Sequence, residues 1–144
     1  MQSSNELFLT FTAAEVALTA LEDWRLLNFG TSENAGVAAD DFDADFDGVS
    51  NLLEYATGLN PNDPTDHCVL EIASSPTNPE ELEVRFNRIT DSALSYELQG
   101  SDTLLPNDWD SVFTTTGLAD DTVTIPESEW GDEARYFFQL QVSY

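Results

Sequence analysis

The sequence predicts an α+β protein with mostly β structure, in which N-terminal helices pack on an antiparallel β-sandwich. Three observations carry this prediction. Apolar residues recur at helical spacing between residues 12 and 28, an aspartate-rich loop and a short helix follow at 43–57, and apolar and polar residues alternate from residue 68 onward. The chain has 144 residues, of which 41% are apolar. This content is sufficient for a hydrophobic core, so we expect one domain or two tightly joined small units.

The first β-prone segment comprises residues 6–11, with the sequence Glu6-Leu7-Phe8-Leu9-Thr10-Phe11. A strand at a chain terminus can complete a sheet of its own chain, or it can add to the sheet of a neighbouring molecule. We favour the first arrangement. The second leaves subunit assembly as an alternative.

A helix is predicted from Thr12 to about residue 28. Thr12 and Glu15 have the spacing of a capping box, in which each side chain satisfies a free amide at the helix start. Gly30 supplies the left-handed conformation that often ends a helix. Glu15, Glu22 and Arg25 are expected on the polar side. The apolar face is expected to contain Ala17, Ala20, Leu21, Trp24 and Leu27. We expect Trp24 to be a core residue, with ligand stacking as the alternative.

Residues 43–54 have the ligand spacing of an EF-hand-like calcium loop. Oxygen-bearing side chains occupy the first, third, fifth, ninth and twelfth positions, and glycine occupies the sixth. Calcium is a hard cation that takes oxygen ligands, and Gly48 permits the sharp turn that brings alternate side chains to one point. The predicted calcium ligands are the side chains of Asp43, Asp45, Asp47, Asn51 and Glu54 and the main-chain carbonyl of Val49. The alternative is an acidic turn that caps a helix.

A second helix is predicted at residues 49–57, ended by Gly58. Leu52, Leu53 and Tyr55 are expected to pack inward while Glu54 turns back toward the ion. Residues 31–42 separate the first helix from the loop, whereas in a calcium sensor the entering helix abuts the loop. A sensor that opens a groove is therefore disfavoured.

The segment 60–66 is rich in turn-forming residues, and we place a boundary there between a metal-bearing half, residues 1–66, and a β half, residues 67–144. Asp63 and Asp66 leave a second ion site open, although an ordinary polar linker is the favoured interpretation. His67 and Cys68 lack the further cysteine or histidine that a zinc site needs.

The β half contains six segments with apolar and polar residues in alternation, separated by turn signals rich in glycine, proline and aspartate. Short strands with one apolar face are typical of an antiparallel sandwich such as a fibronectin type III domain. The predicted strands are 69–72, 82–86, 94–98, 111–115, 122–125 and 136–142.

Residues 43–61 resemble the calcium loops of dockerins and thrombospondin type 3 repeats. With the Trp24-Arg25 and Phe29-Gly30 pairs upstream, they are similar to C-terminal modules of large exported proteins in Verrucomicrobia and related bacteria, where a helix, an aspartate-rich loop and a second helix precede a β-sandwich. The resemblance covers about residues 20–144. The chain departs from the pattern at Phe46, where glycine is common, and at Asn60, where aspartate is common. The resemblance implies an exported, calcium-stabilised accessory module and no reaction.

Charge excludes several partners. Four arginines, no lysine and 28 carboxylates give a formal charge of −24. Nucleic acid and anionic membranes are repelled by such a surface, whereas divalent cations relieve the repulsion among its carboxylates.

Cys68 is the only cysteine, so no internal disulfide forms. The first residues lack the basic start and apolar run of a signal peptide, so an export signal would have been removed or would lie outside this chain.

These features predict a non-catalytic protein of the extracellular space or the cell surface. The chain has one histidine, no lysine, no nucleophile elbow and no phosphate-binding loop. The favoured function is a calcium-stabilised structural module for attachment, sorting or spacing, with other domains or copies of itself as partners. One alternative is a self-assembling filament or layer subunit that uses its N-terminal strand. Another is a carbohydrate-binding module that would use Trp109 or Trp130, although each is favoured as a core residue at one end of the sandwich.

Overall fold

The structure, a computed structural model, describes residues 17–67, 69–117, 122–125 and 136–144. Helix α1 is Ala20–Phe29 and helix α2 is Asn51–Thr57, with a 3-10 turn at Gly36–Ala38 between them. The strands are β1 Glu71–Ser74, β2 Leu82–Arg85, β3 Asp91–Ser101, β4 Asp110–Gly117, β5 Thr122–Ile125 and β6 Phe137–Ser143. The six strands predicted from the alternating pattern are therefore confirmed, with β1 displaced by two residues.

Helix α1 begins later than the sequence predicts. Thr19 is its N-cap: its hydroxyl accepts a hydrogen bond from the amide of Glu22, and the Glu22 carboxylate accepts one from the amide of Thr19. Residues 17–19 are not helical, so a continuous helix from Thr12 is wrong. The physical reason is that the Thr-x-x-Glu capping pattern occurs twice, and the second copy starts the helix. The helix ends at Phe29, and Gly30 has the expected left-handed conformation.

The buried side of α1 also differs from the predicted face. Leu21 is buried as expected, and Trp24 is half-buried with its ring 5.5 Å from that of Tyr55. Leu27, however, is 84% exposed, and Arg25 is buried. Arg25 is buried because it lies one helical turn after the buried Leu21, on the same side of the helix. Its charge is compensated within the fold.

Helix α2 carries the packing that the sequence predicts. Tyr55 is buried, Leu52 and Leu53 pack partly buried against the core, and Gly58 ends the helix in the left-handed conformation. The helix starts at Asn51, two residues later than predicted.

The strands form two antiparallel sheets. One has the order β1-β2-β5, and the other has the order β4-β3-β6 with β3 in the centre. Val84 of the first sheet and Leu94, Tyr96 and Leu98 of the second belong to one core cluster. The chain is thus a small α+β protein with mostly β structure.

The helices share this core with the sheets. Leu21 of α1 and Ala56 of α2 belong to the same cluster. The Tyr96 hydroxyl donates a 2.7 Å hydrogen bond to the Ala56 carbonyl, which also accepts a 3.0 Å bond from the amide of Ile89. The C-terminal end of α2 is therefore fixed to the chain that leads into β3.

Several predicted features lie outside the described residues: the strand at 6–11, the capping box of Thr12 and Glu15, Cys68 and Trp130. Trp109, which precedes β4, is half-buried. None of the helices in the described ranges combines the length and the apolar character needed to cross a membrane.

Candidate metal centre

The aspartates of the predicted calcium loop converge. Asp43, Asp45 and Asp47 each place one carboxylate oxygen within 4.8 Å of the others. Among the described residues, these three aspartates are the acidic, histidine or cysteine side chains that lie close enough together, in a group of three or more, to hold a metal ion. The cluster could therefore hold a metal, as the ligand spacing in the sequence predicts.

The carboxylate of Asp43 shapes the loop by accepting hydrogen bonds from backbone amides of later loop residues. Its Oδ1 accepts hydrogen bonds from the amides of Phe46 at 2.7 Å and Asp47 at 3.2 Å, and its Oδ2 accepts one from Gly48 at 2.9 Å. Gly48 has a φ of 98°, which glycine adopts at little cost. The turn therefore folds around the first aspartate and aims its backbone amides inward.

Asp45 and Asp47 each have one carboxylate oxygen that is available to bind a cation. Oδ1 of Asp45 accepts from the amide of Asp47 at 3.3 Å, and Oδ1 of Asp47 accepts from the amide of Val49 at 2.8 Å. The Oδ2 atom of each aspartate is buried and has no hydrogen-bond partner. These two oxygens lack any compensation for their lost hydration.

Helix α2 contributes two further polar side chains. Glu54 is fully buried, and neither of its carboxylate oxygens has a hydrogen-bond partner. Asn51 is 1% exposed, and its Nδ2 donates to the carbonyls of Val37 at 2.9 Å and Ala39 at 2.7 Å. Because the amide nitrogen is held by two carbonyls, Oδ1 is directed away from them, and this buried oxygen also has no partner.

The unpartnered oxygens are confined to this site. In the part of the chain that the structure describes, every buried side-chain oxygen without a hydrogen bond belongs to one of four residues: Asp45, Asp47, Asn51 and Glu54. Buried polar atoms are normally satisfied, and an exception requires a physical account. A cation bound by the converging aspartates would satisfy the Oδ2 atoms of Asp45 and Asp47, whereas Glu54 lies outside the group of carboxylates that converge within 4.8 Å.

The raised pKa of Glu54 also favours a cation beside the aspartate cluster. Burial, followed by the charges of Asp45, Asp47, Asp43 and Asp66, raises the pKa of Glu54 to about 8. A carboxyl group with this pKa is largely protonated at neutral pH in the absence of a cation. A nearby divalent ion reverses this balance, because it favours the charged form of every carboxylate around it.

The sixth predicted ligand is the Val49 carbonyl. Val49 is buried at the junction between the loop and α2, and its amide bonds to Asp47. Its carbonyl remains a predicted ligand. The donors of the site are all oxygens, which suit a hard cation such as calcium or magnesium and disfavour the softer metals that select thiolate or imidazole.

Sequence reasoning missed the support for this loop. Arg25 of α1 donates to Oδ1 of Asp40, and Asn34 donates to Oδ2 of the same carboxylate at 2.7 Å. The Asp40 amide in turn donates to Oδ1 of Asn34 at 2.9 Å. The sequence offers only a weak signal for this pair: Arg25 is one of four cations in the chain, and nothing in the sequence identifies Asp40 as its partner.

The same segment is tied to α2 by its backbone. The amide of Leu52 donates to the Asp40 carbonyl at 3.0 Å, and the amide of Asn51 donates to the Phe42 carbonyl at 2.8 Å. The residues preceding the loop are thus bonded to both helices, which holds the loop against the start of α2.

The connector carboxylates have ordinary turn partners. Asp63 accepts from the amide and the hydroxyl of Thr65, and Asp66 accepts from the amide of Asn60 at 3.1 Å. His67 lies 3.2 Å from the Pro64 carbonyl. These contacts fit the polar linker that the sequence favoured over a second ion site.

Comparisons of the chain with protein-family models, with curated proteins and with solved structures find no match. The interpretation of the site therefore depends on its own residues and geometry.

Proposed function

We propose that the chain is a non-catalytic structural module of an exported or cell-surface protein, and that one calcium ion bound in an EF-hand-like loop stabilises its fold. The ligands would be Asp43, Asp45, Asp47, Asn51 and Glu54 through their side chains and Val49 through its carbonyl. The observation that carries the proposal is the set of buried, unpartnered oxygens on four of these residues.

The donor set favours calcium over magnesium. Magnesium requires a near-ideal octahedron and usually keeps several water molecules, whereas calcium accepts six to eight oxygens in flexible geometry. Glu54 is buried with both oxygens free, so it can bind an ion with both at once. A ligand of this kind at the end of a loop is suited to the larger ion.

A structural role follows from what the site connects. The loop provides three ligands, and α2 provides two more at its first turn. The other end of α2 is bonded to the chain before β3 through Ala56. An ion at the loop would therefore hold α2 in place, and α2 would hold the loop against the sheets.

The strand order supports a fibronectin III-like sandwich as the β half of this module. The first, second and fifth strands form one sheet, and the third, fourth and sixth form the other. Both sheets contribute to a common core. Location outside the cell accords with the millimolar calcium available there, which weak calcium loops require.

The test is thermal unfolding of this chain in about 1 mM calcium and in excess chelator, where linkage predicts a gain of roughly 3–4 kcal/mol once free calcium exceeds Kd several hundredfold. Asp45→Asn should abolish most of the gain, because it weakens a ligand while keeping the side-chain shape. Asp102→Asn, which removes an equal charge from the exposed turn after β3, is the matched control and should retain it. An unchanged unfolding temperature in the unsubstituted chain would overturn the proposal.

A further inference from the structure

A cavity of about 310 Å³ lies between the connector that follows α2 and the end of β2. Its volume is at the lower end of the range of about 300–1,000 Å³ that is typical of small-molecule sites. None of its lining residues is a predicted ligand of the candidate metal centre. Its walls combine apolar and charged side chains, which include Leu59, Val69, Phe86, Asp66, Glu71 and Arg85.

Both walls of this cavity are fixed within the protein. On the connector side, the Leu59 amide donates to the Glu54 carbonyl at 2.9 Å, and the Asn60 amide donates to Oδ2 of Asp66 at 3.1 Å. On the opposite side, Phe86 is buried and belongs to the core cluster. The cavity is therefore formed by the fold itself, as is usual for small-molecule sites.

Arg85 gives the cavity a rare positive charge. The chain has four arginines and no lysine. Among the arginines that the structure describes, Arg25 and Arg88 are buried, whereas the side chain of Arg85 is 54% exposed. Its Nη2 donates to Oε2 of Glu83 at 2.8 Å, and its other N–H groups are available for a carboxylate, which a guanidinium can bind through two parallel hydrogen bonds.

Two carboxylates line the cavity together with this arginine. Glu71 of β1 lies directly opposite Arg85 in the antiparallel pair, so their Cβ atoms are about 4.5–5.5 Å apart. Asp66 lines the connector side, and both acidic side chains are exposed. A simple anion is repelled by these carboxylates and by the formal charge of −24. A ligand that carries one positive and one negative group instead finds a partner for each.

We propose that this cavity binds a free α-amino acid with an apolar side chain. The α-carboxylate pairs with Arg85, the α-ammonium group pairs with Asp66 and Glu71, and the side chain contacts the apolar part of the wall. A peptide terminus presents only one of these two charges, so the free amino acid fits the site better.

The test is an NMR titration of the isotope-labelled chain in calcium at low ionic strength, with L-leucine as the probe. We expect saturable shifts of the Val69, Arg85 and Asn87 amides, with a Kd below about 10 mM. L-Leucinamide lacks the carboxylate, N-acetyl-L-leucine lacks the ammonium group and glycine lacks the side chain. Each should bind about fivefold more weakly or worse. The absence of saturable shifts with L-leucine below about 10 mM, or equal binding of any of the three comparison compounds, would overturn the proposal.

Two variants assign the binding to the cavity. Arg85→Gln and Glu71→Gln each remove one charge from the wall and should weaken L-leucine binding about fivefold or more. Glu97→Gln, which removes a carboxylate from β3 outside the cavity, is the control and should leave binding unchanged. Both wall positions are exposed, so the variants should fold, and retained shifts of the β3 amides verify this. Unchanged L-leucine binding in the two folded wall variants would place the ligand elsewhere and overturn the proposal.

Discussion

The Tyr55 hydroxyl donates a 2.6 Å hydrogen bond to Oδ2 of Asp91, at the first residue of β3. Glu54, the adjacent residue in α2, is fully buried, and the loop aspartates contribute to its raised pKa. Of two neighbouring positions in one short helix, Glu54 is thus coupled electrostatically to the aspartate cluster, and Tyr55 is hydrogen-bonded to the sheet. Burial and, after it, the hydrogen bond to Asp91 raise the pKa of Tyr55. The hydroxyl therefore stays a donor over the whole physiological pH range.

Tyr55→Phe should lower the free energy of unfolding by about 1–3 kcal/mol, because it leaves a half-buried Asp91 carboxylate without this donor. Urea denaturation in calcium measures the change. Tyr144→Phe removes a hydroxyl from an exposed ring in contact with Tyr55 and should change the free energy by less than about 0.5 kcal/mol. Equal losses in the two variants would show that the Asp91 bond adds nothing specific.

Glu54→Gln should have opposite effects with and without metal. In chelator, the folded-state pKa of about 8 lies above the ordinary value of 4.5, so the unfolded chain releases this proton first as pH rises. The stability from the protonated group is complete below about pH 4.5 and is lost as pH rises toward 8, at up to about 1.4 kcal/mol per pH unit. Glutamine does not ionise, so the variant should be the more stable protein at pH 8 in chelator.

In calcium the order should reverse, because glutamine supplies only one weak neutral oxygen in place of a bidentate carboxylate. Thermal unfolding of both proteins at pH 5 and pH 8, with calcium and with chelator, provides the comparison. Glu97→Gln in β3 is the control and should show no reversal. A variant that is less stable than the unsubstituted chain at pH 8 in chelator would contradict the buried, uncompensated state of Glu54.

The strands were predictable because each presents one face to the core, and the side-chain period of two is read directly from the sequence. The convergence of Asp43, Asp45 and Asp47 was predictable because their spacing turns alternate side chains to one point. The burial of Arg25 was not predictable. A polarity pattern places every arginine on the outside, and it does not identify Asp40, fifteen residues away, as the partner of Arg25. Leu27 was misplaced for a related reason: α1 buries Leu21 and Arg25, and Leu27 lies off that stripe.

Arg25→Met should destabilise the protein by about 2–3 kcal/mol, since it leaves the Asp40 carboxylate without its cation. The Asp40 side chain is 28% exposed, which keeps the loss below that of a fully buried pair. Arg85→Met is the matched control, because Arg85 pairs with Glu83 but is 54% exposed, and we expect a change within about 0.5 kcal/mol. Adding Asp40→Asn to Arg25→Met should recover part of the loss in chemical denaturation. No recovery would mean that Arg25 acts through packing alone.

The backbone of Phe46 is strained at the tip of the loop. Its φ is 66°, a left-handed conformation, and its side chain is 82% exposed, with one edge contact to the Phe42 ring. A non-glycine residue costs about 1–2 kcal/mol in this conformation, and glycine gives back about 0.5–1 kcal/mol through its larger entropy loss on folding. Phe46→Gly should therefore stabilise the chain by up to about 1.5 kcal/mol and strengthen calcium binding, since less strain opposes the ligand geometry. Phe46→Ala retains the strained Cβ and should give neither gain. Titration calorimetry with calcium, together with urea denaturation, would separate the two variants, and equal behaviour would show that the strain at Phe46 does not limit the loop.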